Sequence, residues 1–288
     1  MPKAWSTIFN KLLQVIRTLS LDVLAGAFCG YTFARLVLGC DCPAATPFVL
    51  CATIWLIYTL DHLLDARIRK EHSARPVYRW HWEHRKLLWP LLLTAATGTA
   101  IVSLICLPVR VLAFGCLTAG MVILYTMAHH GMFGLRIRYI FKECWVSIVY
   151  TAGIWGVPLL YYGKIPGLPV LAIVLVYWLL VLINVLIYSY HEYHTDLNES
   201  QFTLATVTGR KVTLLLLRLL MLCVLVLIIV TLLLIDAAKL QNACFIMAGM
   251  AAGMLLILSF PGFFHQHERY GLLADGVFLL PGLIYWIV

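Results

Sequence analysis

The sequence predicts an all-α integral membrane bundle of about nine transmembrane helices. The chain has 288 residues, of which 62% are hydrophobic and 12% are charged, whereas soluble domains have about 45–50% and about 25%. Nine apolar runs follow one another with short connections, and each is close to the length that a helix needs to cross a bilayer. Because no long polar linker separates them, we expect a single transmembrane domain over residues 1–288.

The apolar runs define the predicted helices in order. They lie at roughly 18–38, 47–66, 87–107, 110–128, 140–162, 168–190, 212–235, 243–261 and 272–288. Pro158 lies within the fifth run and predicts a kink there. No small-residue cleavage site follows the basic N-terminal segment, so the first run is expected to be an uncleaved span.

The distribution of basic residues predicts the orientation of the bundle. With nine spans, 17 Lys and Arg residues fall on the side of the N-terminus and three on the other side. Positive residues concentrate in cytoplasmic loops. We therefore expect a multi-pass protein of the cytoplasmic (inner) membrane, with its N-terminus in the cytoplasm. The net charge of +8 follows from these flanking residues, and it does not indicate a nucleic-acid partner.

Two acidic pairs end the second and sixth predicted spans. Asp61 and Asp65 are four residues apart, and Glu192 and Asp196 repeat that spacing, which places each pair on one helix face. Both spans run toward the cytoplasm, so the functional site is predicted at the cytoplasmic face. Magnesium takes oxygen ligands and commonly shares them with phosphates, so the pairs suggest metal-assisted binding of a diphosphate. The alternative is that all four carboxylates pair with nearby Arg and Lys.

The first acidic segment resembles a motif of the UbiA superfamily of intramembrane prenyltransferases. The family motif reads Asn-Asp-x-x-Asp-x-x-x-Asp, and its last two Asp residues match Asp61 and Asp65. The Arg-Pro dipeptide that follows in the family matches Arg75-Pro76. The Asn and first Asp of the motif are replaced here by Ile57 and Tyr58.

The second acidic segment resembles the second motif of that family, in which Asp-x-x-x-Asp precedes Thr-Leu-Pro-x-x-x-Gly. Glu192 and Asp196 are followed here by the segment from Thr203 to Gly209. Tyr188 and Ser189 occupy the upstream positions, Glu192 replaces the first Asp, and Ser200 replaces the Gly before Thr-Leu. Tyr125 and Lys142, predicted in the loop after the fourth span, sit where the family often has a Tyr and a Lys near the diphosphate. The altered motifs imply fewer metal ligands than the family pattern has. The site would then hold one metal ion instead of two, or His62, His191 or His194 would replace the missing ligands. The third alternative is that the protein is an inactive relative.

The resemblance implies transfer of an isoprenoid group from a prenyl diphosphate to an acceptor within the membrane. It implies that Mg²⁺ is held by Asp61, Asp65, Glu192 and Asp196, and that Arg75, Lys142 and Arg79 neutralise the diphosphate. Tyr58, Tyr188 and Tyr190 could stabilise the allylic carbocation through their ring faces. Asn184 lies two turns before Glu192 and could contact substrate, or it could join neighbouring helices. The isoprenoid tail would lie among apolar helices open to membrane lipids, and the sequence does not identify the acceptor.

Three other functions are considered. A UbiA-type terpene cyclase or diphosphate lyase would use the same residues without a separate organic acceptor. A histidine-rich membrane di-iron oxygenase would use the clusters His81-x-x-His84, His129-His130, His191-x-x-His194 and His265-x-His267, but it leaves the acidic pairs unexplained. The third is a non-catalytic lipid-binding or transport protein, although a transporter would usually carry its polar groups nearer the bilayer midplane.

Overall fold

The computed structural model describes residues 12–69, 71, 73, 75–129, 142–199, 201–235 and 237–287. These residues form helices and connecting segments, without a strand among them. Eight of the helices in the described part of the chain are long and apolar enough to cross a membrane. The predicted all-α membrane bundle is therefore confirmed.

The eight long helices begin and end within a few residues of the predicted runs, with one exception described below. They are α1 (Leu21–Leu38), α2 (Thr46–Arg69), α3 (Pro76–Cys106), α4 (Val109–His129), α5 (Lys142–Tyr161), α6 (Leu168–His191), α9 (Arg210–Leu233) and α10 (Ala238–Ser259). Two short helices, α7 (Tyr193–Asn198) and α8 (Leu204–Thr208), follow α6. Pro158 lies inside α5, as predicted from its place in the fifth run.

Helix α3 begins well before the apolar run that predicted it. Residue 87 opens the run, but the helix starts at Pro76. Arg75 has an extended backbone as the residue before the helix, and Pro76 occupies the first helical turn, where a missing N–H costs nothing. Residues 76–86 are polar and aromatic, so hydropathy alone does not detect this part of the helix.

The ninth predicted run is helical but is not one continuous α-helix. It is covered by α12 (Arg269–Gly276), a 3₁₀ segment (Val277–Leu283) and α13 (Ile284–Ile287). A short helix, α11 (Pro261–His265), and a 3₁₀ turn (Gln266–Glu268) precede it. Pro281 lies inside the 3₁₀ segment, where its missing N–H and ring disfavour a regular α-helix. Of the about nine predicted helices, eight are therefore continuous in the described part of the chain, and the ninth run is helical in three segments.

The chain divides into two compact units. The first contains Met1–Phe28 and Pro43–Leu107, and the second contains Cys29–Cys42 and Pro108–Val288, so α1 contributes to both. The prediction of one domain over 1–288 stays a prediction. In the first unit, α2 packs against α3 through buried side chains that include Leu63, Ala66 and Leu88.

Helix α6 is the centre of the second unit. It packs against α5, α9 and α10, and its residues Ile173, Tyr177 and Leu180 are fully buried. The rings of Phe33 and Trp155 pack edge to face at 5.9 Å, and those of Trp155 and Tyr177 lie 5.8 Å apart. This packing fixes α6 in place, and the polar residues at its end are therefore held on a rigid support.

Candidate functional site

The first acidic pair lies in the last two turns of α2. Asp61 and Asp65 are one helical turn apart, as their spacing predicted. Asp65 is buried and Asp61 is half-buried. Removing carboxylates from water is costly unless they are paired or bound, so a buried carboxylate at this position marks a candidate functional site.

A layer of aromatic rings and histidines joins α2 to α3 beside this pair. The ring of His62 lies 6.2 Å from Tyr58, 5.8 Å from Tyr78 and 4.9 Å from His81. His81 is buried, and its Nδ1 lies 2.9 Å from the carbonyl oxygen of Val77. The Nδ1 of His62 has no hydrogen-bond partner among the described residues. Tyr58 belongs to this layer and lies at the same end of α2 as the acidic pair.

Arg75 is held at the start of α3. Its guanidinium donates a hydrogen bond to the Tyr78 hydroxyl at 3.3 Å, and its backbone N–H donates to the Ser73 hydroxyl at 3.1 Å. The guanidinium carbon lies 5.6 Å from the centre of the Tyr78 ring. Arg79 lies one turn further along α3 with an exposed side chain. Of the two predicted diphosphate ligands on α3, Arg75 is therefore the one fixed by its surroundings.

The second acidic pair lies where α6 ends. Glu192 is the residue between α6 and α7, and Asp196 belongs to α7. The predicted continuous helix is therefore broken, but the Asp196 N–H still donates to the Glu192 carbonyl at 2.8 Å, which preserves the one-turn spacing. Asp196 is 1% exposed. The hydroxyl of Tyr270 donates to Glu192 Oε1 at 3.1 Å.

A third carboxylate, not predicted from the sequence, lies beside the end of α6. Asp275 of α12 accepts hydrogen bonds from Asn184 Nδ2, at 3.2 Å, and from the Tyr188 hydroxyl. Asn184 and Tyr188, four residues apart, therefore share one face of α6. The Asn184 Oδ1 is buried without a hydrogen-bond partner among the described residues. Asp275 lies in the ninth apolar run, and an ionisable residue there was the signal that could have identified it.

The histidines at this end of α6 differ in their surroundings. His191 is buried and stacks on Tyr270 at 4.5 Å and on His265 at 5.9 Å, whereas His194 is exposed. The two histidines therefore do not share one environment. Within the part of the chain that the structure describes, no three His, Cys, Asp or Glu residues are grouped so that they could hold a metal. The predicted His129-His130 and His265-x-His267 clusters lie partly outside the residues whose side chains are described.

Glu143 organises the segment that follows the second acidic pair. The buried Glu143 Oε1 accepts hydrogen bonds from the Leu204 N–H at 2.6 Å and from the Ser189 hydroxyl at 3.2 Å. The Ala205 N–H donates to the Ser189 hydroxyl at 3.3 Å, and Thr203 caps the same helix α8. Ser189, which departs from the family motif, therefore has a structural role in docking α8 against α5 and α6.

The other predicted residues are placed as follows. Lys142 is half-buried as the first residue of α5, and Tyr125 lies within α4. The prediction that both lie in a loop is wrong, because they belong to the runs 110–128 and 140–162, which form α4 and α5. The guanidinium carbon of Arg210 lies 4.5 Å from the centre of the Tyr190 ring. That face of Tyr190 is already occupied by a cation, so Tyr58 and Tyr188 are better candidates for carbocation stabilisation.

Comparison with known proteins gives structural neighbours. No protein-family model matches the sequence, and no curated protein is significantly similar to it. A UbiA homolog from Archaeoglobus fulgidus bound to GPP and Mg²⁺ matches with a TM-score of 0.64 at 10% identity, over 94% of this chain and 99% of that chain. A UbiA homolog from Archaeoglobus fulgidus bound to DMAPP and Mg²⁺ gives a TM-score of 0.61 at 11% identity, over 95% of this chain and 99% of that chain. An apo UbiA homolog from Aeropyrum pernix K1 gives 0.66 at 16% identity, over 93% and 98%.

The chain has the UbiA fold. The resemblance that the acidic motifs suggested is therefore confirmed for the fold over more than nine-tenths of the chain. The donor set suits the metal that this resemblance implies. Each acidic pair supplies two carboxylates one turn apart, and Mg²⁺ is commonly bound by one or two carboxylates together with substrate phosphates.

Proposed function

We propose that this UbiA-fold protein transfers an isoprenoid group from a prenyl diphosphate to an acceptor within the membrane. The main support is the fold, because a homolog with that fold binds GPP or DMAPP together with Mg²⁺. The second support is local, since this chain has a carboxylate pair at the ends of both α2 and α6.

The residues that would hold Mg²⁺ and the diphosphate are those predicted from the sequence. Asp61 and Asp65 at the end of α2, and Glu192 and Asp196 after α6, would supply oxygen ligands. When bound, the ion would stabilise the negative charge that develops on the leaving diphosphate.

The basic and polar side chains would complete the site. Arg75, with Lys142 and the exposed Arg79 as further contributors, would neutralise the rest of the diphosphate charge. Breaking the allylic C–O bond leaves a carbocation on the isoprenoid, and the ring faces of Tyr58 and Tyr188 would stabilise it. The acceptor then forms the new bond and loses a proton to a base. Asn184, whose Oδ1 has no partner among the described residues, would contact the acceptor.

The proposed location follows from the charge distribution. The protein would lie in the cytoplasmic membrane with its N-terminus inside, and both acidic pairs would be at the cytoplasmic face. A diphosphate made in the cytoplasm would reach such a site from the aqueous side, while its tail entered from the surrounding lipid.

Alanine substitutions of the acidic residues test this assignment. Asp61→Ala and Asp196→Ala should each lower donor turnover at least about 100-fold, because each removes a proposed ligand of the ion that would stabilise the leaving diphosphate. The matched control is Asp41→Ala, which changes an exposed carboxylate at the predicted outer face and should leave turnover unchanged. Turnover is measured as diphosphate released from a series of prenyl diphosphates in the presence of Mg²⁺.

Full activity in both site variants would show that the assigned residues are wrong. Diphosphate release without a prenylated acceptor would instead favour a cyclase or lyase.

A further inference from the structure

A cavity of about 290 Å³ lies between α2 and α3 in the first unit. Its lining combines arginine, tryptophan and aliphatic side chains: Leu63, Ala66, Arg67, Trp82, Arg85 and Trp89. None of these residues belongs to the proposed prenyl diphosphate site.

The cavity and the acidic pair lie on different faces of α2. Leu63 and Arg67 are each two residues away from Asp65. At about 100° per residue, both point to the opposite side of the helix from that carboxylate. The cavity therefore has its own ligand environment, in which the charged lining groups are two arginines.

One of these arginines is fixed over a tryptophan. The guanidinium carbon of Arg85 lies 3.8 Å from the centre of the Trp82 ring, and the same guanidinium donates a hydrogen bond to the Trp82 carbonyl oxygen. Arg67 is exposed on the facing helix. Guanidinium groups bind phosphate oxygens in a planar, two-donor geometry, so two of them around one cavity favour a phosphate-bearing ligand.

The position of the cavity along α3 identifies the membrane interface. Residues 76–86 of this helix are polar and aromatic, and residues 87–106 are predominantly apolar, which matches the roughly 20 residues needed to cross a bilayer core. Trp82 and Arg85 lie just outside this apolar stretch and Trp89 just inside it. Tryptophan and arginine are typical of the boundary between hydrocarbon and headgroups.

Apolar surface suited to acyl chains adjoins the cavity. On the face of α3 that carries Trp82 and Arg85, Trp89 and Leu93 are 37% and 63% exposed, and in a membrane such side chains face lipid. The cavity is at the lower end of the roughly 300–1,000 Å³ typical of ligand sites. It can thus accommodate a phosphate headgroup while the acyl chains remain in the bilayer.

We infer that this cavity binds the phosphate headgroup of an anionic phospholipid. Arg67 and Arg85 contact the phosphate, Trp82 and Trp89 flank the glycerol region, and the acyl chains lie on the exposed apolar face of α3. Basic pockets between transmembrane helices are known to bind anionic headgroups in this way. The inference does not depend on the proposed transfer reaction.

Native mass spectrometry of the whole protein, released from nanodiscs, tests the inference. With nanodiscs of mixed phosphatidylglycerol and phosphatidylcholine, the unchanged protein should retain phosphatidylglycerol selectively. Arg67→Gln with Arg85→Gln should weaken that retention at least about tenfold, because hydrogen bonds to charged groups are lost. The matched control is Arg218→Gln, which removes an exposed arginine of α9 and should leave retention unchanged.

Two further measurements distinguish lipid binding from the binding of other anions and from misfolding of the double variant. Arg67→Gln alone changes an exposed side chain, and it should lower retention even if the double variant does not fold. Inorganic phosphate at millimolar concentration should not displace the lipid. Equal retention in the unchanged protein and the Arg67 variant would overturn the inference, as would displacement by phosphate alone.

Discussion

Asp275 shows how a single residue changes the description of the candidate site. Its carboxylate accepts hydrogen bonds from Asn184 and Tyr188 of α6, two residues predicted to contact substrate. A carboxylate among apolar helices is costly unless donors stabilise it. Asp275 is therefore interpreted as a positioning residue that sets the orientation of both side chains.

Loss of this interaction should lower activity in a non-additive way. Asp275→Ala and Tyr188→Phe should each lower turnover about tenfold, because each removes the hydrogen bond from the Tyr188 hydroxyl to the Asp275 carboxylate. The turnover of the double variant should be no lower than that of the less active single variant, because both changes remove the same hydrogen bond. Steady-state turnover of the four proteins measures this. A double variant about 100-fold below the unchanged protein would mean that the two residues act independently.

At the scale of elements, the short helix α8 depends on a side chain from another helix. Its N-terminal N–H groups are satisfied by Glu143 of α5, by Ser189 of α6 and by its own Thr203. Unsatisfied N–H groups at a buried helix start are destabilising. The contact also connects α8 to the segment that carries Asp196, since the Gln201 N–H donates to the Asp196 carbonyl at 2.7 Å.

Removal of the Glu143 carboxylate should destabilise the protein. Glu143→Ala leaves the Leu204 N–H and the Ser189 hydroxyl without their shared acceptor, at a cost of about 1–3 kcal/mol. Glu143→Gln is the control, because its amide oxygen can still accept both hydrogen bonds. Thermal unfolding of the detergent-solubilised variants should give a lower Tm for the alanine variant only. Equal Tm values for the two variants would contradict the capping role.

Sequence patterns predicted most helices because lipid leaves the backbone few alternatives. The limits of α6 are accurate to within a residue, since lipid-facing and core-facing residues there are both apolar. The start of α3 at Pro76 was not predicted, because hydropathy does not report an interfacial helix. The change to 3₁₀ geometry at Val277–Leu283 accompanies Pro281, whose ring and missing N–H disfavour a regular α-helix, and hydropathy does not report this change.

In the candidate site, features set by neighbouring residues could be predicted from the sequence, whereas contacts between distant residues could not. The spacing of Asp61 and Asp65 is local, so the helical repeat predicts their shared face. The dipeptide Arg75-Pro76 is also local, because proline favours the first turn of a helix. The hydrogen bond between Asn184 and Asp275 joins residues 91 positions apart. No periodicity within either segment specifies that pairing, and it requires the folded chain.

For the whole molecule, the predicted orientation can be tested by labelling from outside the cell. Lys164→Cys and Asn198→Cys change exposed side chains on opposite predicted faces, and each is introduced after replacement of the nine native cysteines. A membrane-impermeant maleimide should label position 164 in intact cells, because the basic loops remain cytoplasmic. Position 198 should be labelled only after permeabilisation. Labelling of position 198 in intact cells would reverse the predicted topology.

The proposed function of the whole molecule requires a UbiA fold and two carboxylate pairs that would hold a magnesium-bound diphosphate. It is tested most directly by incubating the purified protein with prenyl diphosphates of several lengths and measuring released diphosphate with and without Mg²⁺. We expect release with at least one donor in the presence of Mg²⁺, and its loss when the ion is chelated. Absence of both Mg²⁺-dependent release and Mg²⁺-dependent donor binding, across all lengths tested, would contradict the proposed function.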